Sequence, residues 1–153
     1  MSKAYLEWCD KPAFNDSSEA APPFAILQVT NWAEDLNGND LFRFKKPDGK
    51  GKFFLVNGPF AIPAGRSGTA TRHDGAFALL DQAAPAIAGE LVEWGPKSGK
   101  WGLSPDGKGF VLLGNPKGAA GNQPGFPPAA GTQRTRVAIV AVSEETDRIQ
   151  GTV

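Results

Sequence analysis

Residues 41–56 read LFRFKKPDGKGKFFLV, and this stretch decides the class of fold. In LFRFK, Phe42 and Phe44 alternate with Leu41, Arg43 and Lys45, the period-2 pattern of a strand with one covered face and one wet face. KFFLV, at 52–56, is a second short apolar run rich in strand formers. Between the two, Pro47 presets φ for a turn and Gly49 accepts the positive φ that turns demand. The reading is strand, turn, strand.

The same pattern recurs outward from this hairpin. AILQVT at 25–30, AFALL at 76–80, ELVEW at 90–94, GFVLL at 109–113 and RVAIVAV at 136–142 bring the number of such runs to seven. They predict an all-β domain, a single sandwich or barrel of about seven short strands. Pro105-Asp106-Gly107 repeats the Pro-Asp-Gly turn, with Gly107 expected at positive φ, and Asn37-Gly38-Asn39 marks a turn before Leu41. Nineteen Gly and thirteen Pro among 153 residues leave little room for helices. Only scraps are expected: WAEDL at 32–36, DQAAPAIA at 81–88 and EETDRIQ at 144–150. RVAIVAV is apolar on both faces, which predicts a deeply covered central or interface strand.

Three appendages surround this domain, which is taken as residues 24–143. Residues 1–23 carry Pro12, Pro22, Pro23 and the polar run Asn15–Glu19, and they read as an extended N-terminal arm. Tyr5, Trp8 and Phe14 stand out in it as anchors on this subunit or a neighbour; a terminal strand packed on its own domain is the alternative. Residues 115–133, NPKGAAGNQPGFPPAAGTQ, are twelve parts in nineteen Gly, Pro or Ala. They read as an excursion loop whose single large apolar residue, Phe126, is expected in a neighbour's pocket. Residues 144–153 form a C-terminal tail.

Sixteen basic residues balance sixteen acidic ones, so no net field draws the chain to an anionic membrane, and nucleic acid is not an expected partner. The single Cys9 excludes an internal disulfide and a cysteine-rich zinc site. No apolar h-region and no eighteen-residue apolar run is found, which fits a protein made in the cytoplasm. His73, next to Asp74 in TRHDGA, reads as a turn residue in place of a triad member, and no serine sits in a G-x-S-x-G elbow. Glu90 and Glu93, like Glu144 and Glu145, are neighbours in sequence only. GPFAIPAGRSG lacks the GK[ST] of a phosphate loop, so its glycines are assigned to turns. No catalytic residue, cofactor or metal ligand is expected.

Two segments offer surface chemistry. RFKKPDGKGK, 43–52, sets five cations against one Asp beside Phe42, Phe44, Phe53 and Phe54. This suits a single-stranded nucleic-acid groove or, more simply, a solvated hairpin whose lysines guard an edge. EWGPKSGKWGL, 93–103, places Trp94 and Trp101 around two turns, as a sugar platform, an interface hot spot or part of the core.

The IPAG-x-x-G element at 62–68, the WGP-x-x-x-x-W element at 94–101 and the GFVLLG strand at 109–114 resemble those of small proteins encoded among the late structural genes of tailed phages and prophages. The similarity covers about half of the chain. It implies a virion component, namely a capsid decoration, head-tail or tail accessory protein, made in the host cytoplasm and without enzymatic activity. Such a protein acts as a homo-oligomer or on a larger phage structural protein. Tyr5, Trp8, Phe14, Trp94, Trp101 and Phe126 are the interface candidates. The alternative is a carbohydrate-binding β module that uses Trp94 and Trp101.

Overall fold

The computed structural model describes residues 10–34, 36–38, 40–82, 91–118 and 133–140. Alternating apolar runs and turn glycines produce an all-β fold, with ten short strands among the described residues where about seven were expected. Strands β1 (Lys11–Asn15), β2 (Ile26–Glu34), β3 (Asp40–Lys45), β4 (Phe54–Asn57) and β5 (Ser67–Thr71) close into a barrel in the order β1-β3-β2-β4-β5. Its one parallel pair is β1 with β3, and β1 pairs antiparallel with β5 on its other side. Strands β6 (Ala76–Leu80), β7 (Val92–Trp94), β8 (Phe110–Leu112) and β10 (Gln133–Ile139) form a second sheet in the order β6-β10-β8-β7, and β9 (Lys117–Gly118) pairs with β10.

The two units share a wall. Ile26 pairs with Val56 and Leu27 with Leu55 across β2 and β4, and successive side chains point to opposite faces. Leu27 and Leu55 therefore join Ala13, Phe42 and Phe44 inside the barrel. Ile26 and Val56 face the second sheet, where they pack with Trp94, Phe110, Leu112 and Val137. Each fully buried Leu or Phe contributes about 2–3 kcal/mol, so this doubly covered ladder is the energetic centre of the molecule. Phe42 and Phe44 are buried as the alternation in LFRFK predicts. Gly38, in the β2–β3 hairpin, and Gly49, in the connection from β3 to β4, take positive φ, which a Cβ would resist.

Four expectations change. Residues 10–23 are no free arm: β1 is hydrogen-bonded on both sides and closes the barrel, as in the alternative of a terminal strand packed on its own domain. Its polar run is a bonded turn. The buried Asn15 donates from Nδ2 to the carbonyls of Ile62 (2.8 Å) and Glu19 (3.0 Å), and its Oδ1 accepts from the Ser17 amide (2.8 Å) and hydroxyl (2.6 Å). Tyr5, Trp8 and Cys9 lie outside the described residues.

The first three residues of WAEDL are strand, not helix. Beyond a bulge between Val29 and Asn31, Trp32 pairs with Phe42, and their rings lie 4.8 Å apart; sheet pairing outweighs weak helix propensity here. RVAIVAV is central, as expected, but its strand begins at Gln133 and is covered on one face only. Thr135 and Val137 are buried while Arg136 is exposed. The loop 115–133 starts as strand β9, whose Gly118 and Lys117 pair with Gln133 and Arg134. Residues 119–132, with Phe126, and the tail 144–153 lie outside the described residues.

Candidate functional site

Trp94 and Trp101 are 4% and 9% exposed. They form neither a sugar platform nor an interface hot spot, which corrects both expectations. Trp94 fills the core under the second sheet. Trp101 belongs to the barrel core, and its indole N–H donates to Glu19 at 3.1 Å. Lys46 reaches the same carboxylate at 3.3 Å and lies 5.7 Å from the Trp101 ring. The indole N–H, and then the ammonium, hold the Glu19 carboxyl below its ordinary value.

The chain after Trp101 ties the sheet together. Leu103 bridges to Leu80 on β6 and Ser104 to Gly95 just past β7, while the Trp101 carbonyl accepts the Ile26 amide at 2.8 Å. Gly95 and Gly107 pack backbone to backbone, so a Cβ on Gly95 would strike the main chain of Lys108. The turn at Pro105 departs from its expected chemistry: positive φ falls on Gly109, and Gly107 is there for close approach.

The basic segment 43–52 is no hairpin and guards no edge, which corrects that expectation: β3 and β4 each pair with β2, which lies between them in the closed barrel, and the segment is their surface connection. Lys45 pairs with Asp48 at 2.6 Å and Lys46 with Glu19, while Phe42 and Phe44 are in the core. Asp48 accepts from the Lys45 ammonium and the Lys50 amide, with Gln28 alongside, and these together hold its carboxyl far below the usual carboxylate range. A folded-state pKa below the unfolded one means stability that is present above about pH 4 and lost as pH falls below it. Comparing wild type with Asp48→Asn by thermal unfolding is expected to show a wild-type advantage at pH 7 that shrinks below pH ~4. An advantage constant down to pH 2 would contradict this role.

Phe14 is half-buried, with the Arg43 guanidinium 4.6 Å from its ring; Arg43 also pairs with Asp16 at 2.8 Å. His73 sits in the turn before β6 with Nδ1 2.9 Å from the Asp74 carbonyl. Glu93 accepts the Gly109 amide at 2.9 Å, and Glu90, Glu144 and Glu145 lie outside the described residues. Among the described residues, no group of three or more His, Cys, Asp or Glu could hold a metal ion. No helix among them is long and apolar enough to cross a membrane.

The outer face of the second sheet is the best-developed surface. The β6–β10 register sets Arg136 opposite Phe77 and Arg134 opposite Leu79. The Arg136 guanidinium lies 4.2 Å from the Phe77 ring, and that of Arg134 lies 4.8 Å from Phe77 and 5.4 Å from Phe24. At the opposite end of the sheet Val92 pairs with Leu112, and the same register carried on places Leu91 opposite Leu113 on the outer side. Leu91 is 70% exposed and Leu113 41%, whereas Val92, paired with the buried Leu112, is on the other face of the sheet. The result is a face with cation-covered aromatics at one end and bare aliphatic groups at the other. ELVEW and GFVLL flag the aliphatic end in sequence. The Arg–Phe stacks join residues too distant in sequence for any local signal.

No protein-family model matches the chain, and no curated protein or solved structure matches it significantly.

Proposed function

We propose that the chain is a non-enzymatic assembly protein of a phage particle, a capsid decoration, head-tail or tail accessory component, that acts through contacts made by the outer face of its second sheet. The observation that carries this reading is the exposure of Leu91 and Leu113, which the register sets opposite each other on the outer side where β7 begins and β8 ends. An apolar end strand is a template for pairing with another chain unless Lys, Pro or a bulge guards it. The charged residue of β7, Glu93, has its carboxylate on the Gly109 amide. Arginine and aromatic side chains on the same face supply the residue types that dominate protein contacts. The phage setting rests on the resemblance of the 62–68, 94–101 and 109–114 elements. Those elements serve packing: Ile62 bridges to Ala21, Trp94 is core, and Phe110 and Leu112 are buried.

Sedimentation tests the proposal. Wild-type protein is expected to associate with itself or with the particle lattice, and Leu91→Asp/Leu113→Asp to weaken that association by more than about tenfold, since each change places a charge in a desolvated contact. Association unchanged in the double variant would overturn the assignment of the face. A wild-type chain that neither self-associates nor joins a lattice would overturn the function.

A further inference from the structure

A cleft opens on the barrel wall where β4 stops short. β4 pairs with β5 only as far as Asn57 opposite Ala70, while β5 runs on to Ser67 along β1. From Gly58 the chain swings away and returns at Ile62, which exchanges backbone hydrogen bonds with Ala21 and packs over Gly68. The loop and β5 enclose a space of about 500 Å³, with Asp10 beside it. We propose that this cleft binds a neutral pyranose sugar, through groups other than the buried Trp94 and Trp101.

Phe60 supplies the apolar contact. It lines the cleft and is 70% exposed, yet its main chain is pinned. The buried Asn57 donates from Nδ2 to the Phe60 carbonyl at 2.8 Å and to the Pro22 carbonyl at 2.9 Å. At the other end of the loop the Ile62 carbonyl accepts from Asn15 Nδ2 at 2.8 Å. Two buried amide side chains therefore fix a segment that carries a bare aromatic ring. A ring held on a preorganised support is a platform for the C–H face of a sugar, because it offers flat apolar area at little cost in order.

The polar groups select the ligand class. Asp10, Ser67 and Thr69 line the same cleft and are exposed, and their side chains make no hydrogen bond or ion pair with any described residue. A carboxylate only accepts hydrogen bonds, whereas the two hydroxyls both donate and accept. Sugar hydroxyls match all three: they donate to Asp10 and work in either sense with Ser67 and Thr69. An organic ammonium only donates, which leaves the donor half of Ser67 and Thr69 unused, and an anion would be repelled by Asp10. The space lies within the ordinary range of small-ligand sites, whose lining is largely apolar with a few placed polar groups.

An NMR titration of the isotope-labelled full chain tests this, with methyl α-glucopyranoside, methyl β-galactopyranoside, methyl α-mannopyranoside and N-acetylglucosamine as sugars and tetramethylammonium chloride and sodium acetate as the other probes. At least one sugar is expected to give saturable shifts of amides in 58–62 and 67–71 at millimolar concentration, and neither of the other probes is expected to do so. Phe60→Ala is expected to weaken that affinity about tenfold and Asp10→Asn several-fold. Leu36→Ala, at an exposed apolar residue elsewhere, is expected to leave it as it was. Should Phe60→Ala fail to fold, Ser67→Ala carries the same expectation at about threefold. No saturable shift with any of the four sugars, tetramethylammonium or acetate shifting the same amides as strongly, or an affinity unmoved by Phe60→Ala or by Asp10→Asn would overturn the proposal.

Discussion

Gly95→Ala is expected to lose about 3 kcal/mol of stability or more, roughly 10 °C in the thermal midpoint for a chain of this size. The new methyl group would enter the space of the Lys108 amide and carbonyl and of the Gly107 carbonyl carbon. Those atoms are main chain and cannot rotate away. Neither can Gly95, which donates to the Ser104 carbonyl at 2.9 Å and accepts the Ser104 amide at 2.7 Å. Relief requires the segments on either side of this clamp to separate, which would uncover Trp94 and Leu103. Gly114→Ala is the control: its Cβ would meet only the Thr135 hydroxyl at 3.9 Å, an ordinary contact, so a change within about 1 kcal/mol is expected. Differential scanning calorimetry on the pair decides the matter. A Gly95→Ala protein that melts with the wild type would mean that the two glycines do not hold the segments in contact.

Asn15→Ala is expected to cost a similar amount, about 3 kcal/mol, by another route. The side chain is fully buried and makes four hydrogen bonds, to Ile62, Glu19 and both polar groups of Ser17. The Ile62 carbonyl keeps the Ala21 amide as a donor, so the cost is that of losing four hydrogen bonds of a buried side chain, each about 0.5–1.5 kcal/mol. The loss falls where β1 closes the barrel, next to the Asn15 amide donating to Arg66 and the Gly65 amide donating back to Asn15. Urea unfolding measures it directly. A loss under about 1 kcal/mol would show that β1 is held by its ladders alone and that the turn at 15–19 is incidental.

How far the fold could be read depended on whether the deciding information was local. Phe42 and Phe44 declare themselves because alternation is a property of five consecutive residues, and burial follows from it. KPAFN does not declare itself: it holds a Pro and one large apolar side chain, and its strand character comes from Phe42 and Gly68, which pair with Ala13 from opposite sides. The polar run behind it looked slack because hydrogen bonds from Asn15 to Ile62 leave no trace in composition. Spacing placed Trp94 and Trp101 near turns but could not say which way the rings pointed; the register of Trp94 with Phe110 does. Gly107 and Gly109 are alike in sequence, and only the approach of Gly95 separates a packing glycine from a conformational one. The outer face was half legible: Leu91 and Leu113 sit in quoted apolar runs, whereas Arg134 and Arg136 meet Phe77 only through strand pairing.

Hydrogen–deuterium exchange, comparing the assembled protein with the dissociated one, tests the role of the outer face most directly. Amides at 91–94, on the end strand, are expected to exchange more than about tenfold more slowly once assembled, as pairing or burial removes them from water. The contradicting result is protection confined to other surfaces, with 91–94 exchanging in the assembly as fast as in the free chain.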